Sequence, residues 1–446
     1  MVENILLVTI DSLRYDTWLD HLPELCTSSE LAAEGVSFER AFATGPGTSP
    51  SFPGLLTGTY SLSHGGLGPL TDSRPRVASE LREQGLATGG FHSNPFLSTH
   101  FEYDVGFDEF HDYQNPLMGV ATRVFPRGIE LNNSQLAAVD NAINLTGFIK
   151  SVYKRINGKS RPYVNAEVIT DDAIEWIDSR DNPFFCWAHY MDVHHPCFPP
   201  KEYRSQYGVE HVDNDTVSKL YTDLVEDASV ATDAQLADMA ALYCASISYV
   251  DDQIGRLIEH LRTAGKFEDT LVVLTSDHGE LHGEHDQFGK PARMYDELLH
   301  VPLVIANGPE DLAERREWLV SLLDVPPLLH AVIGESIPNA YEGQPPETDP
   351  RQYVVAEHEV DGEAIIGARS ANWLYEHDDI EGRRRLFELP SMAPIDPQQV
   401  SNNPEVSMLT EVAERRLDGM PPRREIPESV ELDSDVEGRL EDLGYR

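Results

Sequence analysis

The residues Thr-Ser-Asp-His-Gly-Glu at positions 275–280 directly follow a short apolar run at 270–274. That run of aliphatic and β-branched residues is typical of a buried strand. A strand that ends at an acid and an imidazole, here Asp277 and His278, places both side chains at the carboxyl edge of a sheet, where α/β proteins build their sites. The stretch therefore predicts a functional site at the end of a central strand, with a solvated polar loop as the alternative.

Length and composition indicate a globular chain with one large domain and a smaller one. The chain has 446 residues, of which 40% are hydrophobic and 25% are charged. It contains no run of about eighteen apolar residues, so we expect no integral membrane segment. The chain begins Met-Val-Glu-Asn and continues straight into a strand-like segment, without the features of a secretory leader. A cytoplasmic location is therefore expected.

The formal net charge of −42 comes from 76 acidic and 34 basic residues. The acids are spread along the whole chain, which predicts a solvated acidic shell. Self-repulsion of this size destabilises a compact state in dilute buffer, and halophilic proteins use such shells, so we expect a high-salt cytoplasm. The same charge makes nucleic acid and anionic membranes unfavourable partners. An anionic substrate would therefore be held by local cationic groups.

Several other predicted strands also end in polar residues, and helical patterns lie between them. The alternation of strand and helix indicates a largely parallel sheet with helices on both faces. Parallel strands bring their carboxyl ends to one edge of the sheet. The segments concerned, each with the polar residues that follow it, are 5–10 with Asp11, 87–91 with His92 and Asn94, and 184–190 with His194.

The pattern changes near residue 340. Residues 353–358 and 364–374 have the composition of antiparallel strands, and acidic connections follow them. We therefore predict a catalytic α/β domain at 1–340. A small C-terminal subdomain with antiparallel strands and an acidic tail is predicted at 341–446.

Three segments interrupt the predicted strands and helices. Residues 45–51 are rich in Gly, Pro and Ser, which predicts a tight turn that exposes hydroxyl groups. Residues 101–165 are predicted to form a long excursion over the active face, and residues 202–233 a polar, acidic surface insertion.

A candidate metal shell can be assembled from Asp11, Thr48, His194, Asp277 and His278. Carboxylates, imidazoles and a hydroxyl form a mixed oxygen and nitrogen shell that suits a divalent cation. Each residue alone is a weak signal, because an Asp after a strand is common in turns and a lone His is more often structural. Their joint placement at strand ends favours a metal site.

Three stretches carry a resemblance to a known family. Residues 4–14 read Asn-Ile-Leu-Leu-Val-Thr-Ile-Asp-Ser-Leu-Arg and look like a first strand with a metal-binding Asp. Residues 276–290 are similar to a second metal motif that closes with an anion-binding Lys, and residues 189–196 resemble a segment that supplies a substrate-facing His. On these motifs the chain resembles the sulfatase family of the alkaline phosphatase superfamily over nearly its whole length.

The resemblance implies an alkaline phosphatase-like α/β sandwich, with a large, mixed and mostly parallel sheet between helices. It also implies one divalent metal ion, Ca, Mn or Zn; a second site that uses His282 and His285 is the less simple alternative. The residues carried over from the family are Asp11, Thr48, Asp277 and His278 for the metal, Thr48, His194 and Lys290 for catalysis, and Lys290, His92 and Asn94 for substrate binding.

The nucleophile position departs from the family pattern. The family signature is Cys or Ser, any residue, Pro, Ser, Arg, whereas residues 48–52 here read Thr-Ser-Pro-Ser-Phe. Thr48 thus stands where sulfatases form formylglycine, and Phe52 replaces the accompanying Arg. Threonine is not a substrate for that modification, but related phosphodiesterases and phosphotransferases use an unmodified Thr at this position. Ser49 and Ser51 fit the spacing less well as stand-ins.

The sequence therefore predicts a metal-dependent hydrolase or transferase that acts on phosphate esters through Thr48. Two alternatives are a sulfuric ester hydrolase that works without formylglycine, and a catalytically silent binding protein with the same fold. The expected substrate is an ester of a small molecule, a glycan or a lipid headgroup. The sequence carries no motif for the identity of that substrate or for the oligomeric state.

Overall fold

A seven-stranded sheet forms the centre of the molecule. The computed structural model describes residues 2–113, 163–345, 350–400 and 402–421. The strands of the sheet, in spatial order, are β2 (Val36–Ser37), β10 (Leu303–Ala306), β7 (Thr270–Ser276), β1 (Asn4–Ile10), β6 (Phe184–Tyr190), β4 (Ala87–Phe91) and β5 (Glu109–His111). β10 pairs antiparallel with β2 and β7, and the other neighbours pair in parallel. This is the mixed, mostly parallel sheet that the sequence predicts.

Helices cover both faces of the sheet because its central strands are apolar on both sides. In β1, Leu6 and Val8 belong to one buried cluster and Ile5 and Leu7 to another. No helix in the described ranges is long and apolar enough to cross a membrane. The helices are α1 (Tyr15–His21), α2 (Cys26–Glu34), α3 (Thr48–Thr57), α4 (Val77–Glu83), α5 (Ala166–Asp178), α6 (Lys201–Gln206), α7 (Asn214–Glu226), α8 (Asp233–Thr263), α9 (Asp296–Leu299), α10 (Val325–Val332) and α11 (Pro404–Asp418).

A separate antiparallel sheet of five strands lies in the C-terminal part, as predicted. Helix α11 packs on this sheet and buries Leu409 and Ala413 in a third apolar cluster. The boundary placed at residue 340 stays a prediction. The strands of this sheet are β12 (Val354–Val360), β13 (Glu363–Arg369), β14 (Trp373–Asp378), β15 (Arg383–Glu388) and β16 (Ala393–Ile395). Two further two-stranded sheets pair β3 (Arg40–Phe42) with β11 (Leu319–Ser321), and β8 (Leu281–His282) with β9 (Phe288–Gly289).

The prediction of a tight turn throughout 45–51 is wrong. Gly47 is the N-cap residue and Thr48 the first residue of helix α3, which ends before Gly58 in the left-handed conformation. Pro50 is tolerated because the first backbone N–H groups of a helix have no intrahelical acceptor. The prediction failed because Gly, Pro and Ser residues are common both in turns and at the first positions of helices.

Residues 202–233, predicted as a polar and acidic surface insertion, form helices. The segment contains most of α6 and all of α7, and Asp213 caps α7 by accepting a 2.9 Å hydrogen bond from the Thr216 N–H. Helix α7 buries Val217, Tyr221 and Leu224, which recur at helical spacing. The acidic residues between them masked this narrow apolar stripe.

Two smaller predictions need revision. The excursion predicted at 101–165 contains β5, which pairs in parallel with β4, while its residues 114–162 lie outside the described part of the chain. The single strand predicted at 364–374 is two strands, β13 and β14, that pair antiparallel across a turn.

The register of the main sheet brings the predicted polar residues together. Ile10, the last residue of β1, lies opposite Ser276 of β7 and Tyr190 of β6. Phe91 of β4 lies opposite Ala188 of β6. The residues that follow these strands therefore leave the sheet at one edge, where ligands of α/β proteins bind.

Gly279 allows the segment after β7 to approach the backbone before α9. Its N–H donates a 2.8 Å hydrogen bond to the Leu298 carbonyl, and an added Cβ would lie 2.0 Å from the carbonyl oxygen of Glu297. We predict that Gly279→Ala lowers the free energy of unfolding by about 2 kcal/mol or more, because the backbone must move apart. Urea unfolding measures this change.

Gly47→Ala is the matched control for stability. A Cβ at Gly47 would meet only Pro50 side-chain carbons, at 3.9 Å and 4.0 Å, and its φ of −169° is open to any residue. We expect a change within about 0.5 kcal/mol. Equal stability of Gly279→Ala and the wild-type protein would contradict the close approach at Gly279.

Candidate active site

Thr48 lies at the N-terminus of the buried helix α3 and faces the edge of the main sheet. Its side chain is almost fully buried, at 3% exposure for the residue. Thr48 Oγ1 lies 3.4 Å from Asp11 Oδ2 and 3.3 Å from His278 Nε2. The positive end of a helix dipole favours negative charge at this point. The structure therefore places the predicted nucleophile against two predicted metal ligands.

Asp11, Asp277 and His278 form a compact group of metal-ligating side chains. All three are fully buried, and each offers a ligand atom within 4.8 Å of the others. His278 Nδ1 donates a 2.7 Å hydrogen bond to the Gly279 carbonyl, which leaves the Nε2 lone pair directed at Asp11 and Asp277, at 3.7 Å and 3.4 Å. Asp277 Oδ2 is buried without a hydrogen-bond partner in the described part of the chain. A buried carboxylate oxygen in this state fits a divalent cation.

The ionisation of the two carboxylates is coupled. Burial, and then the Asp11 carboxylate, raise the pKa of Asp277 well above its ordinary value. Burial also opposes ionisation of Asp11, but surrounding imidazoles and Lys290 outweigh it and hold the pKa of Asp11 well below its usual range. In a buried site, ionisation of one carboxylate raises the free energy needed to ionise the carboxylate beside it. A divalent cation between them would remove that conflict.

Several donors fix the two carboxylates. Asn94 Nδ2 donates to Asp11 Oδ2 at 2.8 Å, and Ser12 Oγ donates to Asp11 Oδ1 at 2.8 Å. The backbone N–H of Ser12 donates a hydrogen bond to Asp277 Oδ1 at 3.3 Å. Ser12 itself has a left-handed backbone conformation, with a φ of 62°, that non-glycine residues rarely adopt. Ser51 Oγ donates to the Asp277 carbonyl at 2.6 Å. The site is therefore held from the first strand and from helix α3.

His189 supports Asp11 from inside strand β6. Its Nε2 lies 3.5 Å from Asp11 Oδ2, and its Nδ1 is 2.9 Å from Thr9 Oγ1. Thr9 Oγ1 in turn accepts a 3.0 Å hydrogen bond from the Trp187 indole N–H. This chain of contacts fixes the orientation of the His189 ring beside the carboxylate.

His194 and Lys290 form the second half of the site. Lys290 Nζ donates to His194 Nε2 at 2.6 Å and to Ser12 Oγ at 3.3 Å. Burial, and then the Lys290 charge, lower the pKa of His194 to about 4. The imidazole is therefore neutral near pH 7, while the ammonium of Lys290 lies where an anion beside Thr48 would be attracted.

A cavity of about 460 Å³ adjoins Lys290. Helix α7 and the loop after β8 form its walls, and its rim carries Glu226, Asp227 and Asp286. Lys290 is the residue that this cavity shares with the site. Because α7 belongs to the segment 202–233, that insertion shapes the approach to the site.

His92, predicted as a substrate contact, is fully buried in aromatic packing. Its ring stacks on Trp187 at 5.1 Å between centroids and meets Phe110 edge-on at 5.0 Å. Burial, and then His189, lower the pKa of His92 well below its ordinary value. Asn94, the other predicted substrate contact, binds Asp11 directly. Substrate contact by either residue stays a prediction.

Phe52 occupies the position of the family arginine and is fully buried. Its ring packs against Trp187 at 5.6 Å and edge-on against His189 at 5.0 Å between centroids. The position that would carry a cation beside formylglycine is thus part of the apolar layer under α3.

Sequence reasoning missed the positioning roles of Thr9, Ser12, Ser51 and His189. His189 carried a usable signal, since it is an imidazole inside the otherwise apolar segment 184–190, all of which is buried. A polar residue in a fully buried strand needs a partner. The other three are ordinary polar residues beside motif positions, and only the sheet register shows what they contact.

Comparisons with known proteins identify the family of the chain. Residues 3–334 match the family model described as Sulfatase. The chain is 28% identical over 331 residues to the uncharacterized sulfatase YidJ of Escherichia coli (strain K12), covering 70% of this chain and 64% of that protein. The chain thus spans less than two thirds of that relative's length.

Two solved structures share the fold. The phosphonate monoester hydrolase SpPMH from Silicibacter pomeroyi has a TM-score of 0.68 and 23% identity, covering 93% of this chain and 94% of that chain. BT4656, solved in complex with its substrate D-glucosamine-2-N,6-O-disulfate, has a TM-score of 0.70 and 16% identity, covering 97% of this chain and 100% of that chain. The family match and the shared fold confirm the resemblance seen in the sequence: the chain belongs to the sulfatase family, with the fold of the alkaline phosphatase superfamily.

Proposed function

We propose that this protein is a metal-dependent hydrolase that cleaves phosphate esters with Thr48 as the nucleophile. The observation that carries the proposal is the position of Thr48 Oγ1, which lies 3.4 Å from Asp11 and 3.3 Å from His278 at the N-terminus of a buried helix. Phe52 gives further support, because the chain has lost the formylglycine precursor and its arginine together. A phosphonate monoester hydrolase with the same fold is consistent with phosphorus chemistry.

The proposed metal ligands are Asp11, Thr48, Asp277 and His278, around one divalent ion such as Ca, Mn or Zn. When bound, the ion would lower the pKa of a ligand hydroxyl and offset charge on a phosphoryl group. Asp277 Oδ2, buried without a hydrogen-bond partner in the described ranges, is the atom whose environment fits the ion best.

The reaction follows from the positions of the side chains. Thr48 Oγ1 attacks phosphorus, a bond between oxygen and phosphorus forms, and the bond from phosphorus to the leaving alcohol breaks. Asp11 Oδ2 lies within 3.4 Å to accept the Thr48 proton. Water then attacks the phosphoryl-threonine, which releases phosphate and restores the Thr48 hydroxyl; an acceptor alcohol in place of water would give transfer.

The Lys290–His194 pair serves the phosphoryl group and the leaving alcohol. Lys290 binds a non-bridging oxygen through its charge, and its Nζ lies 2.6 Å from His194 Nε2. In the free protein burial, and then the Lys290 charge, lower the pKa of His194 to about 4. A bound phosphoryl anion offsets the Lys290 charge, so His194 takes up a proton from water and donates it to the leaving oxygen.

The cavity beside Lys290 is the proposed site of the alcohol part of the ester. Its volume of about 460 Å³ suits a small molecule, a sugar unit or a lipid headgroup. The acidic rim formed by Glu226, Asp227 and Asp286 disfavours an alcohol that carries negative charge. We therefore propose a neutral or cationic leaving group.

Substitution of Thr48 tests the nucleophile. We predict that Thr48→Ala lowers kcat toward aryl phosphate or bis-aryl phosphate by at least about 1,000-fold, because the attacking oxygen is lost. Thr48→Ser keeps that oxygen and retains activity within about tenfold of wild type. Ser49→Ala, which removes the neighbouring hydroxyl, is the matched control and should behave as wild type. Turnover of aryl sulfate without turnover of either phosphate ester would contradict the proposal.

Substitution of Asp277 tests the metal. We predict that Asp277→Asn weakens binding of the catalytic ion by more than about 100-fold, since it removes one ligand charge without changing side-chain size. Metal analysis after dialysis against Mn, Ca or Zn should show one equivalent fewer than wild type, together with loss of turnover. Asp286→Asn alters an exposed acid of the same segment and should keep its metal. Unchanged metal content in Asp277→Asn would refute the ligand assignment.

We also propose that the protein works in a high-salt cytoplasm, on the basis of its net charge of −42. Raising KCl from about 0.1 M to about 1 M shortens the Debye length from about 10 Å to about 3 Å, which screens the repulsion between surface acids. We predict that the urea midpoint at neutral pH rises with KCl. The rise should shrink near the pI of 4.6, where the net charge is small. A urea midpoint that is independent of KCl at neutral pH would contradict the halophilic assignment.

A further inference from the structure

A second group of metal-ligating side chains lies behind Lys290. It consists of His195, Glu280 and His282, here called the His-Glu-His cluster, and each residue offers a ligand atom within 4.8 Å of the other two. His195 follows β6, Glu280 follows the Asp277–Gly279 motif, and His282 ends β8. The cluster shares no residue with the proposed catalytic metal site.

One ring nitrogen of the cluster has no partner in the described part of the chain. The Nε2 atom of His282 is buried and has no hydrogen-bond partner among the residues that the structure describes. His195 itself is 1% exposed. Burying an imidazole nitrogen without a partner is costly, and such groups in native proteins usually have a ligand, an ion or a water.

The surroundings fix the ligand orientations. The His195 ring is sandwiched between Tyr221 and Tyr243, at 5.6 Å and 5.5 Å between centroids and within 9° and 4° of parallel. Tyr221 also donates a 3.0 Å hydrogen bond to Glu280 Oε1, and Glu280 Oε2 lies 3.2 Å from His195 Nδ1. Such an aromatic shell with an oriented carboxylate is typical of metal sites, because outer contacts set the direction of the ligands.

Two cationic side chains, Arg14 and Lys290, lie near the cluster and have partners outside it. Arg14 approaches the cluster through a 3.2 Å hydrogen bond from Nη1 to the Glu280 carbonyl. Its guanidinium is paired with Asp16 at 2.6 Å and Glu284 at 2.7 Å. Lys290 Nζ lies 3.9 Å from Glu280 Oε1, and it also contacts His194 and Ser12 on the catalytic side.

We propose that the His-Glu-His cluster binds a second divalent ion, zinc, independently of the catalytic metal. Two imidazoles and one carboxylate are a characteristic zinc donor set that leaves one coordination position for water. The ion would tie the end of β6 to the segment 280–282, and that segment leads into the loop that carries Lys290. The site thus fixes the anion-binding side of the active site without contacting substrate.

Zinc stoichiometry tests the proposal without any assay of turnover. The Asp277→Asn substitution removes metal binding at the catalytic site. Tag-free Asp277→Asn protein dialysed against zinc should therefore retain one zinc equivalent. Addition of His282→Leu should remove that equivalent, whereas addition of His285→Leu should not. His285 is the matched control because it is a histidine of the same loop whose ring stacks on Tyr295, at 3.8 Å.

A cobalt-substituted protein gives a second measurement. Asp277→Asn loaded with Co²⁺ should show the visible absorption of a low-coordinate cobalt site, and His282→Leu should abolish it. Thermal unfolding of each variant checks that the fold is kept; if His282→Leu does not fold, loss of zinc from folded His282→Gln is the deciding result. Retention of zinc in the Asp277→Asn, His282→Leu protein, or no zinc in Asp277→Asn, would overturn the second site. Absence of phosphate-ester turnover in the wild-type protein, with the second zinc site intact, would instead contradict the proposed function alone.

Discussion

The structure depends on two carboxylates, Asp11 and Asp277, that are buried side by side. They end strands β1 and β7, which pair in parallel, so the sheet register forces the two acids into one place. Burial and mutual repulsion raise the pKa of Asp277, and the site can hold both charges only with cationic partners. Asn94, the Ser12 backbone, the start of helix α3 and Lys290 all direct donors or positive charge at this pair. The fold thus creates an electrostatic conflict that a divalent cation would resolve.

Thr48 and Phe52 show how one local change alters the chemistry available on a shared fold. Thr48 keeps a hydroxyl at the helix start, within 3.4 Å of Asp11, and Phe52 fills the arginine position with a ring packed on Trp187. The apolar ring could not stabilise an aldehyde hydrate, and the unmodified hydroxyl does not require it. The two positions are therefore consistent with one another, and both favour direct attack by threonine on phosphorus.

Much of this arrangement could be predicted from sequence, because the signals were local. Segments 5–10 and 184–190 are mostly apolar and are followed by polar residues, which marks buried parallel strands and their site edge. Three features could not be predicted this way. The apolar stripe of helix α7 is interrupted by acidic residues in the sequence. The role of His189 depends on the pairing of β6 with β1. The ring of His92, which follows β4, stacks on Trp187. Each depends on contacts between segments distant in sequence. For the same reason the sequence offered His282 with His285 for a second metal site, whereas the structure groups His282 with His195 and Glu280.

The central claim is that Thr48 carries the phosphoryl group during turnover. The most direct test is rapid acid quenching of the wild-type protein during turnover of an aryl phosphate in high salt, followed by peptide mass spectrometry. We predict a phosphate on the peptide that contains Thr48, localised to that residue and absent from Thr48→Ala. A phosphate on Ser49, Ser51 or any other residue would contradict the account, as would phosphate-ester turnover that survives in Thr48→Ala.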